Sequence, residues 1–125
     1  MADFGDVTRI GLELPEVTVA TSSGTPALQV RTKSFCRMWG EREHARDDVH
    51  DTEVLVVFCD VDEKEALLTT FPDVLFSTPH YDGYGAMLVR LADATEPDLA
   101  DWLEDAYRLE APTTLRRQLG PAGDD

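Results

Sequence analysis

The stretch "ALQVRTKSFCRMW", residues 27–39, decides the fold. Leu28 and Val30 alternate with polar neighbours before "RTK", and Phe35, Arg37 and Trp39 alternate with Cys36 and Met38 after it. Two period-two runs around a short polar break predict a β-hairpin turning at 31–33. Hairpin neighbours are antiparallel, so the sheet built around them is expected to be antiparallel as well. Downstream, "EVLVVFC" (53–59) is an unbroken, β-branched apolar run that suits a central strand covered on most of its length. "DVLFST" (73–78) and "AMLVRL" (86–91) read as two more strands. They are joined by "PHYDGYG", in which Pro79 constrains the strand exit and Gly83 and Gly85 permit the reversal.

Helical periodicity flanks these strands. Phe4, Val7, Ile10 and Leu14 predict a helix over 3–14, ended by Pro15. "DVDEKEALLTTFP" (60–72) predicts a second, with Asp62 and Glu65 as an acidic variant of the capping box and Ala66, Leu67 and Phe71 facing inward. Thr95, Pro97 and Asp98 open a third, whose inward stripe is Leu99, Trp102, Leu103, Ala106 and Tyr107. "APTTLRRQLG" (111–120) forms a short last helix, and 121–125 a flexible C-terminal tail. "TSSGTP" (21–26) reads as a loop, and the polar "GEREHARDDVHD" (40–51) as a flexible loop or an extended hairpin tip. The order is α-β-β-β-α-β-β-α-α: an α+β sandwich in one domain, 1–120, with the helices packed on one face of an antiparallel sheet.

Composition bounds the function. The chain has 125 residues and a net charge of −14, which repels nucleic acid and anionic membranes as a whole. The surplus is uneven: Arg31, Lys33, Arg37, Arg42 and Arg46 outnumber Glu41 and Glu43 across 28–46, so only that segment offers an anion-facing surface. Cys36 and Cys59 sit in apolar runs, where a reduced cysteine acts as a small hydrophobe; two cysteines make no disulfide framework and no zinc quartet. No apolar run approaches the length of a membrane span, and no apolar leader opens the chain, so a cytoplasmic location is expected.

Several blocks carry a family resemblance. "GTPALQVRTKSFCRM" (24–38) and "STPHYDGYGAMLVRL" (77–91) resemble two signatures of the MmcQ/YjbR family, the second being its TPHY–GY turn leading into a V-R-L strand. "RIGLELPEVT" (9–18), "DEKEALL" and "LEDAYRLEAPTTL" fit the rest, so the likeness covers nearly the whole chain. Gly85 stands where that family commonly has proline, and 40–51 is longer and more charged than usual. The resemblance implies a fold similar to the bacterial frataxin (CyaY) type. It also implies DNA binding through two hairpin "wings", here 28–39 and the turn at 79–85. The DNA-contacting cations would then be Arg31, Lys33, Arg37 and Arg90.

The residues themselves leave alternatives open. Arginine and lysine supply phosphate contacts and tyrosines stack on bases, which gives Tyr81 and Tyr84 a place in a nucleic-acid surface. The preferred reading makes them wedges between sheet and helix. His80 is a candidate general base or ligand contact beside Asp82. The preferred reading makes it a structural histidine bonded to a backbone carbonyl of the turn. No nucleophile elbow, phosphate-cradling loop or metal spacing accompanies it, so no enzyme, cofactor or metal is expected. His44 and His50 lie among Asp47, Asp48 and Asp51, a solvated loop rather than a built metal site. The competing function is an acidic module binding a protein or small molecule, with His80, Tyr81 and Tyr84 as its contacts.

Overall fold

The computed structural model describes residues 2–120. Its elements are α1 (Phe4–Gly11), β1 (Val17–Ser22), β2 (Thr25–Val30), β3 (Lys33–Met38), α2 (Glu41–Asp47), β4 (Val54–Phe58), α3 (Val61–Thr70), β5 (Leu75–Phe76), β6 (Ala86–Arg90), α4 (Glu96–Glu110) and α5 (Thr113–Leu119). The six strands form one antiparallel sheet in the order β1-β2-β3-β4-β6-β5. The expected α+β architecture stands. The tail expected at 121–125 lies outside the described residues. Among the described residues no helix is long and apolar enough to cross a membrane.

Two elements add to the expected order: β1, over residues given no element and the start of the expected 21–26 loop, and α2, within 40–51. β1 pairs with β2 from Val17↔Val30 to Ser22↔Thr25, leaving Ser23 and Gly24 as a two-residue turn. Both turn residues have positive φ, 53° and 80°, the geometry of the tight hairpin turn whose twist matches its strands. The next hairpin turns on Arg31 (φ 59°) and Thr32, within the span read from the sequence. The second addition is α2, which replaces the expected loop or hairpin tip. Its sequence "EREHARD" carries no apolar stripe to betray it, although five of its seven residues are good helix formers.

The core occupies both faces of the sheet. On the first face, α1, α3, α4 and α5 cover Leu55, Val57, Met87 and Val89. The predicted stripe of α4 is buried in full, and Tyr107 donates its hydroxyl to the Pro15 carbonyl at 2.8 Å. Alternate residues of the same strands, Val54, Val56, Ala86 and Leu88, join Trp39 and Tyr81 in a smaller cluster on the second face. Pairing in register places Arg37, Val56, Leu88 and Phe76 in one row across that face. Cys36 and Cys59 are buried and free, as expected; burial pushes their thiols up to about 12 and about 11.

In α3, the inward face differs from the expected one. Ala66 is exposed, and the cap is Asp60, whose carboxylate accepts the Asp62 N–H. The one buried residue of that helix is Lys64.

Candidate functional site

The TPHY–GY stretch is a pinned turn rather than an extended wing. After β5 the chain makes a single helical turn over Pro79–Tyr81, with the Tyr81 N–H donating to Thr78 O at 2.8 Å. Gly83 then adopts φ 72°, the left-handed region that favours glycine. Lys64 reaches in from α3 and donates to the carbonyls of Tyr81 and Tyr84 at 2.5 and 3.2 Å. Desolvation holds its ammonium below the ordinary lysine value. Sequence reasoning missed this residue because "DEKE" looks like a solvated face. The signal was its spacing from Leu67, Leu68 and Phe71, which puts it on their stripe.

The two tyrosines part ways. Tyr81 is buried and accepts the Trp39 indole N–H at 3.1 Å, with the rings stacked at 6.4 Å. It is a wedge, as one of the two readings held. Tyr84 is 53% exposed. His80 is exposed as well, lying edge-on to Tyr81 at 5.1 Å, and its ring makes no hydrogen bond among the described residues. The carbonyl bond expected for a structural histidine is therefore not made.

The short helix α2 closes over this corner. Arg37, rooted in β3, forms a two-pronged pair with Glu43 at 2.8 and 2.6 Å, and Glu43 also accepts the Gly40 N–H at 2.9 Å. Burial raises the Glu43 carboxyl, but the Arg37 and Gly40 hydrogen bonds outweigh it and leave the group below the ordinary glutamate range. Further along α2, Asp47 accepts the Thr78 hydroxyl at 2.9 Å and pairs with Arg46 at 2.8 Å. The Arg46 guanidinium lies 5.9 Å from the Tyr81 ring centre. His44 sits edge-on to Trp39 at 5.2 Å, its Nδ1 2.6 Å from Val49 O. Among the described residues no three His, Cys, Asp or Glu side chains converge to hold a metal ion.

Between this corner and the β1–β2 turn lies a cleft of about 280 Å³. Arg37, Val56 and Phe58 line its base, Ser22, Ser23 and Ser34 stand along the β1–β3 side, and His80, Tyr81 and Tyr84 line the opposite side. A neighbouring depression shares Ser23, Arg37 and His80 and adds Glu41, Arg42, Glu43 and Arg46. Thus the structure gathers four of the seven candidate residues, Arg37, His80, Tyr81 and Tyr84, around one space. The serines were missed because nothing in a turn-forming "SSG" distinguishes a lining residue from a spacer.

The other three candidates stand elsewhere. Arg31 makes a two-pronged pair with Glu16 at 2.8 and 3.1 Å. Arg90 pairs with Asp51 at 3.0 Å and stacks over the Phe76 ring at 4.6 Å. Lys33 is exposed and has no ion pair among the described residues.

Comparison with known proteins places these features in a family. The YjbR family profile matches residues 12–109, which include both the hairpin and the TPHY–GY turn. The chain belongs to the YjbR family. A crystal structure of Deinococcus radiodurans protein DR2400, a DUF419 domain, superposes with a TM-score of 0.68 at 20% identity, covering 100% of this chain and 94% of that one. That likeness speaks for the fold. Uncharacterised proteins of Mycobacterium tuberculosis and Mycobacterium bovis are 46% identical over 52 residues, 42% of this chain. The match spans 40% of the length of these curated relatives. In this YjbR-family chain the second signature therefore has a definite geometric role: it forms one wall of the cleft.

Proposed function

We propose that the chain is a non-catalytic binding module that takes a small polar molecule in the cleft between the β1–β2 turn and the TPHY–GY corner. One observation carries this reading: the signature leaves the side chains of His80 and Tyr84 exposed and aims them, with Arg37, at a single concave space. Concave sites with a few convergent polar groups are the usual form of a small-molecule site. The non-catalytic part rests on the absence of an activated nucleophile in the lining. Cys36 also lines the cleft, but burial pushes its thiol up to about 12, and no serine hydroxyl is hydrogen-bonded to His80 among the described residues.

DNA binding, which the family resemblance implies, is the second reading. Phosphate affinity comes from cations that are free to release counterions. Here Arg31 and Arg90 are each committed to a carboxylate and Arg37 is turned into the cleft with its side chain only 20% exposed, which leaves Lys33 as the exposed, unpaired cation of the four among the described residues. The net charge of −14 adds a long-range penalty.

One experiment separates the two. The full chain is titrated with a short mixed-sequence DNA duplex and with a small-molecule fragment set, while its amide NMR spectrum is followed at low salt. The expected result is saturable shifts at Ser23, Ser34, His80 and Tyr84 with fragments and none with the duplex. Duplex-induced shifts at Arg31 and Lys33 that fade with added salt would reverse the order of the readings.

A further inference from the structure

We infer that the cleft is built for a small organic carboxylate with an apolar body, and that Glu43 occupies the ligand's place on Arg37 until the ligand displaces it. This rests on the reading of the cleft as a binding site and goes on to name what it takes.

The chain has 25 acidic residues and 11 basic ones, yet among the described residues no aspartate or glutamate lines the cleft. Arg37, His80 and the hydroxyls of Ser22, Ser23 and Ser34 do, beside Val56 and Phe58. In so acidic a chain, a cleft furnished with hydrogen-bond donors and no carboxylate selects against cations and for an anion. The apolar base and the Tyr84 ring select for one with a hydrophobic body.

Arg37 identifies the kind of anion. Its guanidinium presents a planar fork that fits a carboxylate with two parallel hydrogen bonds. Glu43 already fills that fork at 2.8 and 2.6 Å, while the third contact of Arg37 is to the Met38 carbonyl at 3.2 Å. Arg37 lines both the cleft and the depression beside it, whereas Glu43 lines the depression alone, so the cleft is the side from which a second carboxylate would meet Arg37. Both Glu43 contacts are to the terminal nitrogens, and that edge of the guanidinium holds one carboxylate at a time.

Glu43 is a displaceable occupant. It belongs to α2, a seven-residue helix with no buried residue. Apart from the Arg37 pair, α2 is tied to the signature corner through Asp47 and Thr78, and through Arg46 over Tyr81. Loss of the Glu43 contact on binding would loosen one end of that helix. Ligand occupancy is thereby coupled to the order of α2, because a ligand shifts an equilibrium by its differential affinity for the two states.

The test uses benzoate as probe and benzamide as its neutral counterpart, titrated into the full chain by amide NMR. Benzoate should shift Ser23, Arg37 and His80 saturably and speed hydrogen exchange across 42–46; benzamide should bind at least about tenfold more weakly. Glu43→Gln keeps an oxygen for the Gly40 N–H but withdraws the competing charge. It should tighten benzoate roughly tenfold, the size of one charge-assisted hydrogen bond. Arg37→Gln should abolish the benzoate response even if Glu43→Gln fails to fold. Equal binding of benzamide, or a Glu43→Gln variant that binds benzoate no better, overturns the inference while the cleft remains a binding site. Silence from both compounds at the cleft overturns the inference and the binding-module reading together.

Discussion

Tyr81→Phe is the most direct probe of how the signature turn is held. The substitution removes one oxygen and leaves the ring, so the stack on Trp39 at 6.4 Å and the burial of both side chains persist. What disappears is the acceptor for the Trp39 indole N–H at 3.1 Å. Trp39 is 5% exposed and Tyr81 4%, so water cannot readily replace that oxygen. A buried donor left without a partner costs about 1–3 kcal/mol. The second contact of the hydroxyl, to Glu43, is 3.5 Å long and adds little. A loss near 2 kcal/mol follows, or roughly 8 °C in Tm for a domain of this size. Guanidinium unfolding followed by tryptophan fluorescence measures it, with an unchanged slope showing that the transition itself is unaltered. The Trp39→Phe background supplies the control. There the indole N–H is already gone, and Tyr81→Phe should cost less than about 0.5 kcal/mol, leaving a coupling energy near 1.5 kcal/mol. A loss below about 0.5 kcal/mol in the wild type, or an equal loss in both backgrounds, would refute the claim that this bond fastens the turn to the sheet.

Two further outcomes follow from the same contacts. Glu43 has its carboxyl below its ordinary value of 4.5 in the folded chain, so the folded state releases that proton more readily than the unfolded one. The stability it contributes is present above 4.5 and is lost as pH falls through the lowered value. Glu43→Gln should therefore flatten part of the acid limb of the stability curve; parallel acid limbs in urea titrations would contradict the ion pair. Gly83 has φ 72° and open space where a Cβ would sit. Gly83→Ala should cost about 1–2 kcal/mol from backbone strain alone, read by thermal melting. A neutral result would mean that the turn relaxes out of the left-handed region.

The sequence carried the fold where periodicity was strong and lost it where two faces or two roles overlapped. The stripe of α4 and the hairpin at 27–39 were legible because each buries one face and exposes the other. β1 was missed because Val17 and Val19 are its only large apolar residues, and as an edge strand it buries just Val17. Its marker is the Ser23–Gly24 pair, whose loop composition is equally that of a two-residue hairpin turn. α2 was missed for the opposite reason: its hold on the protein is through polar side chains. Hydrophobic patterning is blind to an ion pair such as Arg37–Glu43, since the partners come from a strand and a helix with no shared period.

Of the candidate site, the sequence supplied the residues and not their directions. Strand alternation could put Arg37 on the face opposite Cys36 and Met38, but nothing local says that Glu43 will fold back onto it. The same limit applies to the turn, whose backbone is fastened on two sides. Lys64 binds its carbonyls, and Gly85 O accepts the Cys59 N–H at 3.0 Å, an approach so close that a Cβ on Gly85 would lie 3.0 Å from Cys59 O. The Trp39–Tyr81 bond fastens the turn to the sheet through a side chain. With the backbone and Tyr81 so committed, His80 and Tyr84 are the aromatic side chains of the turn left facing the cleft. A purely structural corner would gain by burying those two rings as it buries Tyr81. That the fold instead spends a buried lysine on holding the turn, and leaves His80 and Tyr84 exposed, is the physical argument behind the binding role proposed for the corner.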